Sequence, residues 1–271
     1  MIRILFIIIL MTSWFACQDQ NAISERETVH PMDRLGNDEA GDIIRKAIAF
    51  AGGWDAWSSK QNFTFYKVIS KVDSTGVITK KIKQLHHYNM KPGFQSRMTW
   101  KDKEGSYLIV NTGNEAKKYK NKEVLIDDKS KKEAWNSSFG SNYVISMPFK
   151  FTDPGTILTY EGIDSTTLDR PVYSVKVEYE EGAGSSGGYH TWWYYFDVDN
   201  YDLVANYLDS GNGYSLTTYE TFTEVDDIRI HVRRLSYASN EQKEKVMLKT
   251  IYENEEMTFD SEIDKSNFQF L

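Results

Sequence analysis

Ala40-Gly41-Asp42-Ile43-Ile44-Arg45-Lys46-Ala47-Ile48-Ala49-Phe50-Ala51-Gly52-Gly53, followed nine residues on by Phe63-Thr64-Phe65, contains the change of period that decides the fold. Ala40, Ile43, Ile44, Ala47, Ile48 and Ala51 recur at the spacing that gathers side chains along one side of a helix. Asn37 or Asp38 is available as its cap, and Gly52-Gly53 can stop it. The apolar stripe needs a cover, and one face of a sheet is the expected partner, with Trp54 and Trp57 packing just past the helix end. From Phe63 onward the apolar period falls to two, the repeat of a strand whose faces differ.

The two-residue period returns around Phe94 to Trp100, Tyr107 to Val110, Tyr173 to Tyr179, Trp192 to Phe196, Leu203 to Leu208 and Ile228 to Val232. Turn-forming stretches divide these runs at Asp73 to Gly76, Asn111 to Asn114, Glu181 to Gly188 and Asp209 to Gly213. Such short separations favour antiparallel neighbours over parallel strands joined by crossover helices. Ala134, Trp135, Phe139, Tyr143, Val144 and Met147 suggest the inner face of a second helix ending before Pro148, although Gly140 and several serines weaken it. With no internal repeat and no shift in composition, residues 38–271 read as a single α+β domain.

Two of the strands carry different implications. Ile228, Ile230 and Val232 alternate with Arg229, His231 and Arg233, which gives that strand one buried and one wet face. Trp192-Trp193-Tyr194-Tyr195-Phe196 does not alternate, so large rings leave both faces of the sheet. Helices on one side with a cavity or core on the other would account for this. A plain two-layer core explains the same pattern, and residue pattern alone favours it.

Towards the amino terminus, Arg3 precedes an unbroken apolar run from Ile4 to Met11, and Trp14-Phe15-Ala16-Cys17 follows. This is the grammar of an export signal, and the run is far shorter than the roughly 20 apolar residues that cross a bilayer. Residues 1–16 are therefore expected to be a removable lipoprotein signal peptide, with Cys17 as the lipidated first residue of the mature chain. Trp14 stands where a leucine is commonest three residues before such a cysteine. The alternative is an ordinary signal cut nearby, leaving a free thiol. Cys17 is the sole cysteine, so no internal disulfide can form and the domain must stand on its core. Residues 17–37 are polar, contain Pro31 and lack a sustained apolar period, as a flexible tether would.

The formal net charge of −7, with both signs spread along the chain, argues against a nucleic-acid partner, which needs a concentrated cationic face. Lys80-Lys81-Ile82-Lys83 and Lys129-Ser130-Lys131-Lys132 read as solvated strand ends or turns. His86 and His87 are adjacent, so on a strand they point to opposite faces and cannot easily share a metal. Asp197-Val198-Asp199-Asn200-Tyr201-Asp202 is rich in oxygen ligands but lacks the glycine and distal glutamate of a calcium loop; an Asx-rich turn is the better reading. Gly182 to Gly188 is not followed by Lys-Ser/Thr, no Gly-x-Ser-x-Gly elbow occurs, and the paired carboxylates Asp226-Asp227 and Glu255-Glu256 lie in charged segments. Neither catalysis, nor a metal, nor a cofactor is expected.

Ala49-Phe50-Ala51-Gly52-Gly53-Trp54-Asp55-Ala56-Trp57 with Phe63-Thr64-Phe65, Met147-Pro148-Phe149-Lys150-Phe151-Thr152-Asp153-Pro154-Gly155, Trp192 to Asp197 and the terminal Ser266-Asn267-Phe268 together resemble the DUF6503 group of Bacteroidota lipoproteins. That group is similar to the LolA/LolB-like lipoprotein-carrier class. The resemblance implies a strongly curved antiparallel half-barrel sheet wrapped around a few helices, with an apolar cavity for acyl chains. On this reading the protein binds a lipid, an acyl chain or another hydrophobic molecule, with Phe65, Trp100, Trp192, Tyr194 and Phe196 as candidate cavity residues. The same rings would serve a filled core, which would suit a structural lipoprotein that docks another envelope protein. Localisation is expected at the cell envelope, on the outer membrane, through the lipid on Cys17.

Overall fold

The computed structural model describes residues 29–184 and 190–271. The signal segment, Cys17, the first part of the tether and the end of the Glu181–Gly188 turn lie outside the described residues. Helix α1 spans Glu39–Phe50, α2 spans Trp54–Ser59 and α3 spans Asp128–Ile145. The first six strands are β1 (Asn62–Val72), β2 (Ile78–Asn89), β3 (Gln95–Asp102), β4 (Gly105–Asn111), β5 (Ala116–Lys120) and β6 (Glu123–Leu125). After α3 come β7 (Thr156–Asp164), β8 (Val172–Tyr179), β9 (Thr191–Asp197), β10 (Leu203–Asp209), β11 (Tyr214–Val225), β12 (Ile228–Ser239) and β13 (Lys245–Phe259).

These strands form one 13-stranded sheet in the order β6-β5-β4-β3-β2-β1-β13-β12-β11-β10-β9-β8-β7. Every neighbouring pair is antiparallel. The chain meanders outward from β1 to one edge at β6. It then passes through α3 to the opposite edge and meanders back until β13 pairs with β1, placing Phe63 opposite Phe259 and Lys67 opposite Asn254. The antiparallel arrangement expected from the short loops is present throughout.

α1 is the helix the spacing predicts. Asp38 caps it, its side chain accepting from the Gly41 amide at 2.9 Å, and Gly52 and Gly53 end it with positive φ. Its stripe is buried together with Phe63, Phe65, Val175, Val177, Tyr194, Phe196, Ile228 and Ile230, so strands from both halves of the sheet share one core. Trp57 stacks face to face on Phe149 at 4.6 Å and meets Phe63 and Phe259, and cores of such rings contribute both area and ring-pair geometry.

Two particulars depart from the sequence reading. Pro31–Leu35 is a short 3-10 helix with Leu35 only 2% exposed in the core, so residues 31–37 belong to the body and not to a tether. α3 buries Ser130, Ala134, Ser138, Asn142, Tyr143 and Ile145, whereas Trp135 is exposed. Small side chains face the sheet there because the helix lies close upon β3, β4 and β5. The rings of β9 do leave both faces: Tyr194 and Phe196 enter the main core, while Tyr195 joins Val172, Ala205, Tyr207 and Leu216 on the other side. That second cluster is covered by Leu168 and by Lys243, whose ammonium lies 4.8 Å from the Trp193 ring, and not by helices.

Two glycines are required by close approach. A Cβ on Gly41 would meet the Leu35 carbonyl oxygen at 2.0 Å, and one on Gly52 would meet that of Asp227 at 2.1 Å. Ala normally gains about 1 kcal/mol over Gly inside a helix. Gly41→Ala is expected to reverse that sign and lower stability, and Gly52→Ala to cost more than the ~1–2 kcal/mol of a left-handed backbone alone. Urea unfolding of both variants measures this.

Candidate functional site

The helix-bearing face of the sheet changes chemistry along its strands. On β1 the side chains of that face run Phe63, Phe65, Lys67, Ile69, Lys71, with Phe63 and Phe65 in the core and the next three lining a pocket. The pocket has a volume of about 380 Å³ and lies between β1–β5 and α3. Ile69, Ile82, Met98, Trp100 and Ile109 form its apolar wall, and Glu133, Ser137 and Ser141 of α3 close it from above. Its size falls within the usual range for a small-molecule site.

Charge is unevenly divided around it. Glu133 pairs with Lys118 at 2.8 Å, and Asp102 and Glu104 lie 3.8 Å from Lys80 and Lys120. Lys67 is enclosed by protein except where it faces the pocket; it donates to Ser141 Oγ at 3.0 Å, and its ammonium sits 5.2 Å from the Tyr252 ring centre. Enclosure lowers its pKa to about 7, with Arg234 and Lys71 pushing in the same direction. Arg234, 5% exposed on β12, approaches the same Tyr252 ring at 5.2 Å. Lys71 donates to Thr250 Oγ1 at 3.0 Å.

Next to Lys67, His86 is fully buried between Gln84 Oε1 at 3.1 Å and the Tyr88 hydroxyl at 3.0 Å, and it stacks on Phe65. Its neighbour His87 lies on the opposite face with Thr64, as alternation requires. Asp197 accepts from the amides of Asp199 and Asn200, and Asp202 pairs with Arg229 at 2.7 Å, so the oxygen-rich turn spends these carboxylates internally.

The five candidate cavity residues do not line one cavity. Phe65, Tyr194 and Phe196 are within the packed core, and Trp192 lies against it. Phe196 meets Phe151, and the Tyr194 hydroxyl donates to that of Tyr143, which also bonds Tyr179. Trp100 alone lines the pocket, stacked on Tyr107 at 4.9 Å. Lys67, Lys71, Arg234 and Tyr252 were not singled out from the sequence. The available signal was the β1 alternation itself, which continues past Phe65 into two lysines on the same face.

No family model matches the chain, and no curated protein matches it. Solved structures do. A LolA superfamily protein from Nitrosomonas europaea aligns with TM-score 0.58 at 11% identity, covering 85% of this chain and 97% of that one. A DUF1329 family protein from Desulfovibrio piger gives 0.56 at 10% identity over 86% and 98%. A Vibrio parahaemolyticus domain assigned to outer membrane lipoprotein sorting gives 0.52 at 9% identity over 88% and 97%. The fold is LolA-like: a large antiparallel sheet with few helices.

Burial lowers the pKa of His86 well below the ordinary imidazole value, with Lys67 and His87 adding to the effect. An unfolded chain takes up this proton near pH 6.5 while the folded one does not, so stability is retained above that pH and falls as pH drops below it. Lys67 has the same sign at higher pH, between the ordinary lysine value and about 7. Urea unfolding between pH 7 and 5 should show this decline, and His86→Gln should make it shallower by up to about 1.4 kcal/mol per pH unit.

Proposed function

We propose that this protein is a non-enzymatic binding or carrier lipoprotein of the bacterial cell envelope, which holds the apolar part of a lipid or other amphiphile against the helix-bearing face of its sheet. The observation that carries this reading is the 380 Å³ pocket between α3 and β1–β5 with its wall of Ile69, Ile82, Met98, Trp100 and Ile109. Each methylene buried there would contribute about 0.8 kcal/mol, so a short acyl segment suffices for useful affinity. The LolA-like fold supports a carrier role, as does the kinship read from the DUF6503-type motifs. The Ile4 to Met11 run and Cys17 support export and a lipid anchor on the outer membrane. The packed aromatic core favours a second reading, in which the body docks another envelope protein.

Native mass spectrometry of the Cys17→Ser body, purified without its signal and followed by organic extraction, tests the choice. A stoichiometric lipid or acyl adduct is the expected result; a clean apo mass that persists after incubation with envelope lipids would sink the reading and favour a protein partner. Trp100→Ala is expected to weaken the adduct at preserved fold. Phe196→Ala should instead lower stability by about 3–5 kcal/mol, as removal of a buried ring does.

A further inference from the structure

Beyond the apolar wall, the other end of the pocket region holds charge with no counter-charge. Lys67 and Lys71 of β1 and Arg234 of β12 share one face, on strands separated only by β13. Among the described residues no carboxylate lies within ion-pair distance of any of the three, because the acids of the pocket are turned to Lys118, Lys80 and Lys120. Arg234 is the sharpest case. The residue is 5% exposed, its Nε is enclosed without a hydrogen-bond partner, and its guanidinium lies 5.2 Å from the Tyr252 ring centre. A ring face answers the charge but offers no acceptor in line with the N–H bonds.

Gathering like charges without a counter-ion, one of them an enclosed guanidinium without an acceptor, is costly, and a protein that needed only packing there could use apolar side chains of the same volume. We infer that Lys67 and Lys71, which line the pocket, form with the neighbouring Arg234 behind them a site for the anionic group, carboxylate or phosphate, of a bound amphiphile. The anion meets Lys67 and Lys71 in the pocket, with Arg234 adding its charge from beside Tyr252, while the apolar body of the same molecule rests on Ile69, Ile82 and Trp100. The placement of that body rests on the proposed function; the anion site stands without it.

The test compares octanoate, octanol and inorganic phosphate as ligands of the full chain in a non-ionic detergent, with wild type and variants in the same detergent so that ligand partitioning cancels. Octanoate is expected to bind wild type at least tenfold more tightly than octanol, and Lys67→Met and Arg234→Met to reduce that ratio to within threefold. Lys67→Met, at the pocket edge, keeps the test decisive if Arg234→Met fails to fold. Equal binding of acid and alcohol by wild type overturns the anion site while leaving the apolar reading intact, as does an acid preference unchanged in Lys67→Met. Phosphate binding lost in Lys67→Met, without octanoate or octanol binding, supports the anion site and removes the apolar reading. No binding of any of the three overturns both.

Discussion

The pairing of β1 with β13 is the constraint on which the rest of this molecule depends. Two meanders, six strands and seven strands, meet only along that ladder, and their registers set every face that follows. With Phe63 opposite Phe259, the apolar ends of the two half-sheets converge under α1. With Lys67 opposite Asn254 and Lys71 opposite Thr250, the polar ends converge beside Tyr252. A slip of one residue would exchange the two faces, sending Phe63 and Phe65 outward and Val68 and Ser70 inward. The partners lie at opposite ends of the chain, so the loop closed by this pairing is nearly as long as the domain and contributes to a high contact order.

Seen from that ladder, the sheet is a graded surface. Its aromatic end is filled by the molecule's own side chains, including the Trp57–Phe149 stack and the hydroxyl contacts joining Tyr143, Tyr179 and Tyr194. Its other end keeps a gap lined by apolar and cationic groups together. Solidity and vacancy thus occur on one continuous face: the Trp192, Tyr194 and Phe196 rings belong to its filled end, Trp193 and Tyr195 pack on the opposite face, and the gap lies elsewhere.

Much of this was legible in the residues. α1 with its cap and stop, the antiparallel strands, the opposite facing of His86 and His87 and the Asx turn after Phe196 all follow from spacing and local chemistry, because each depends on neighbours within a few positions. β2, β5, β7, β11 and β13 were harder to see. Lys80 to Lys83 and Glu255-Glu256 read as solvated or charged segments, since a strand with solvent on both sides at one end carries no apolar period there. The Pro31–Leu35 turn was missed for a different reason: its burial depends on Gly41 letting another segment come within backbone distance, which no local window reveals. The pocket lysines were hidden in the same way. Their shared face is set by strand parity, but the enclosure of Lys67 is set by α3, Tyr252 and Arg234, which are distant in sequence.

The row of Ser130, Ala134 and Ser138 beneath α3 has a mechanical meaning. Helices grip sheets and one another when tall ridges enter deep grooves, and α1, with its isoleucines, is held in that manner. Over these three positions α3 presents a nearly smooth underside, and the Ser138 hydroxyl is turned back onto the Ala134 carbonyl at 2.7 Å and not into the sheet. Its other end is held differently: Tyr143 and Ile145 enter the main core, and the Tyr143 hydroxyl meets those of Tyr179 and Tyr194. The roof of the gap above β1–β5 is therefore clamped by interlocked rings at its Tyr143 end and laid flush upon the strands at its Ser130 end, two different kinds of hold along one helix.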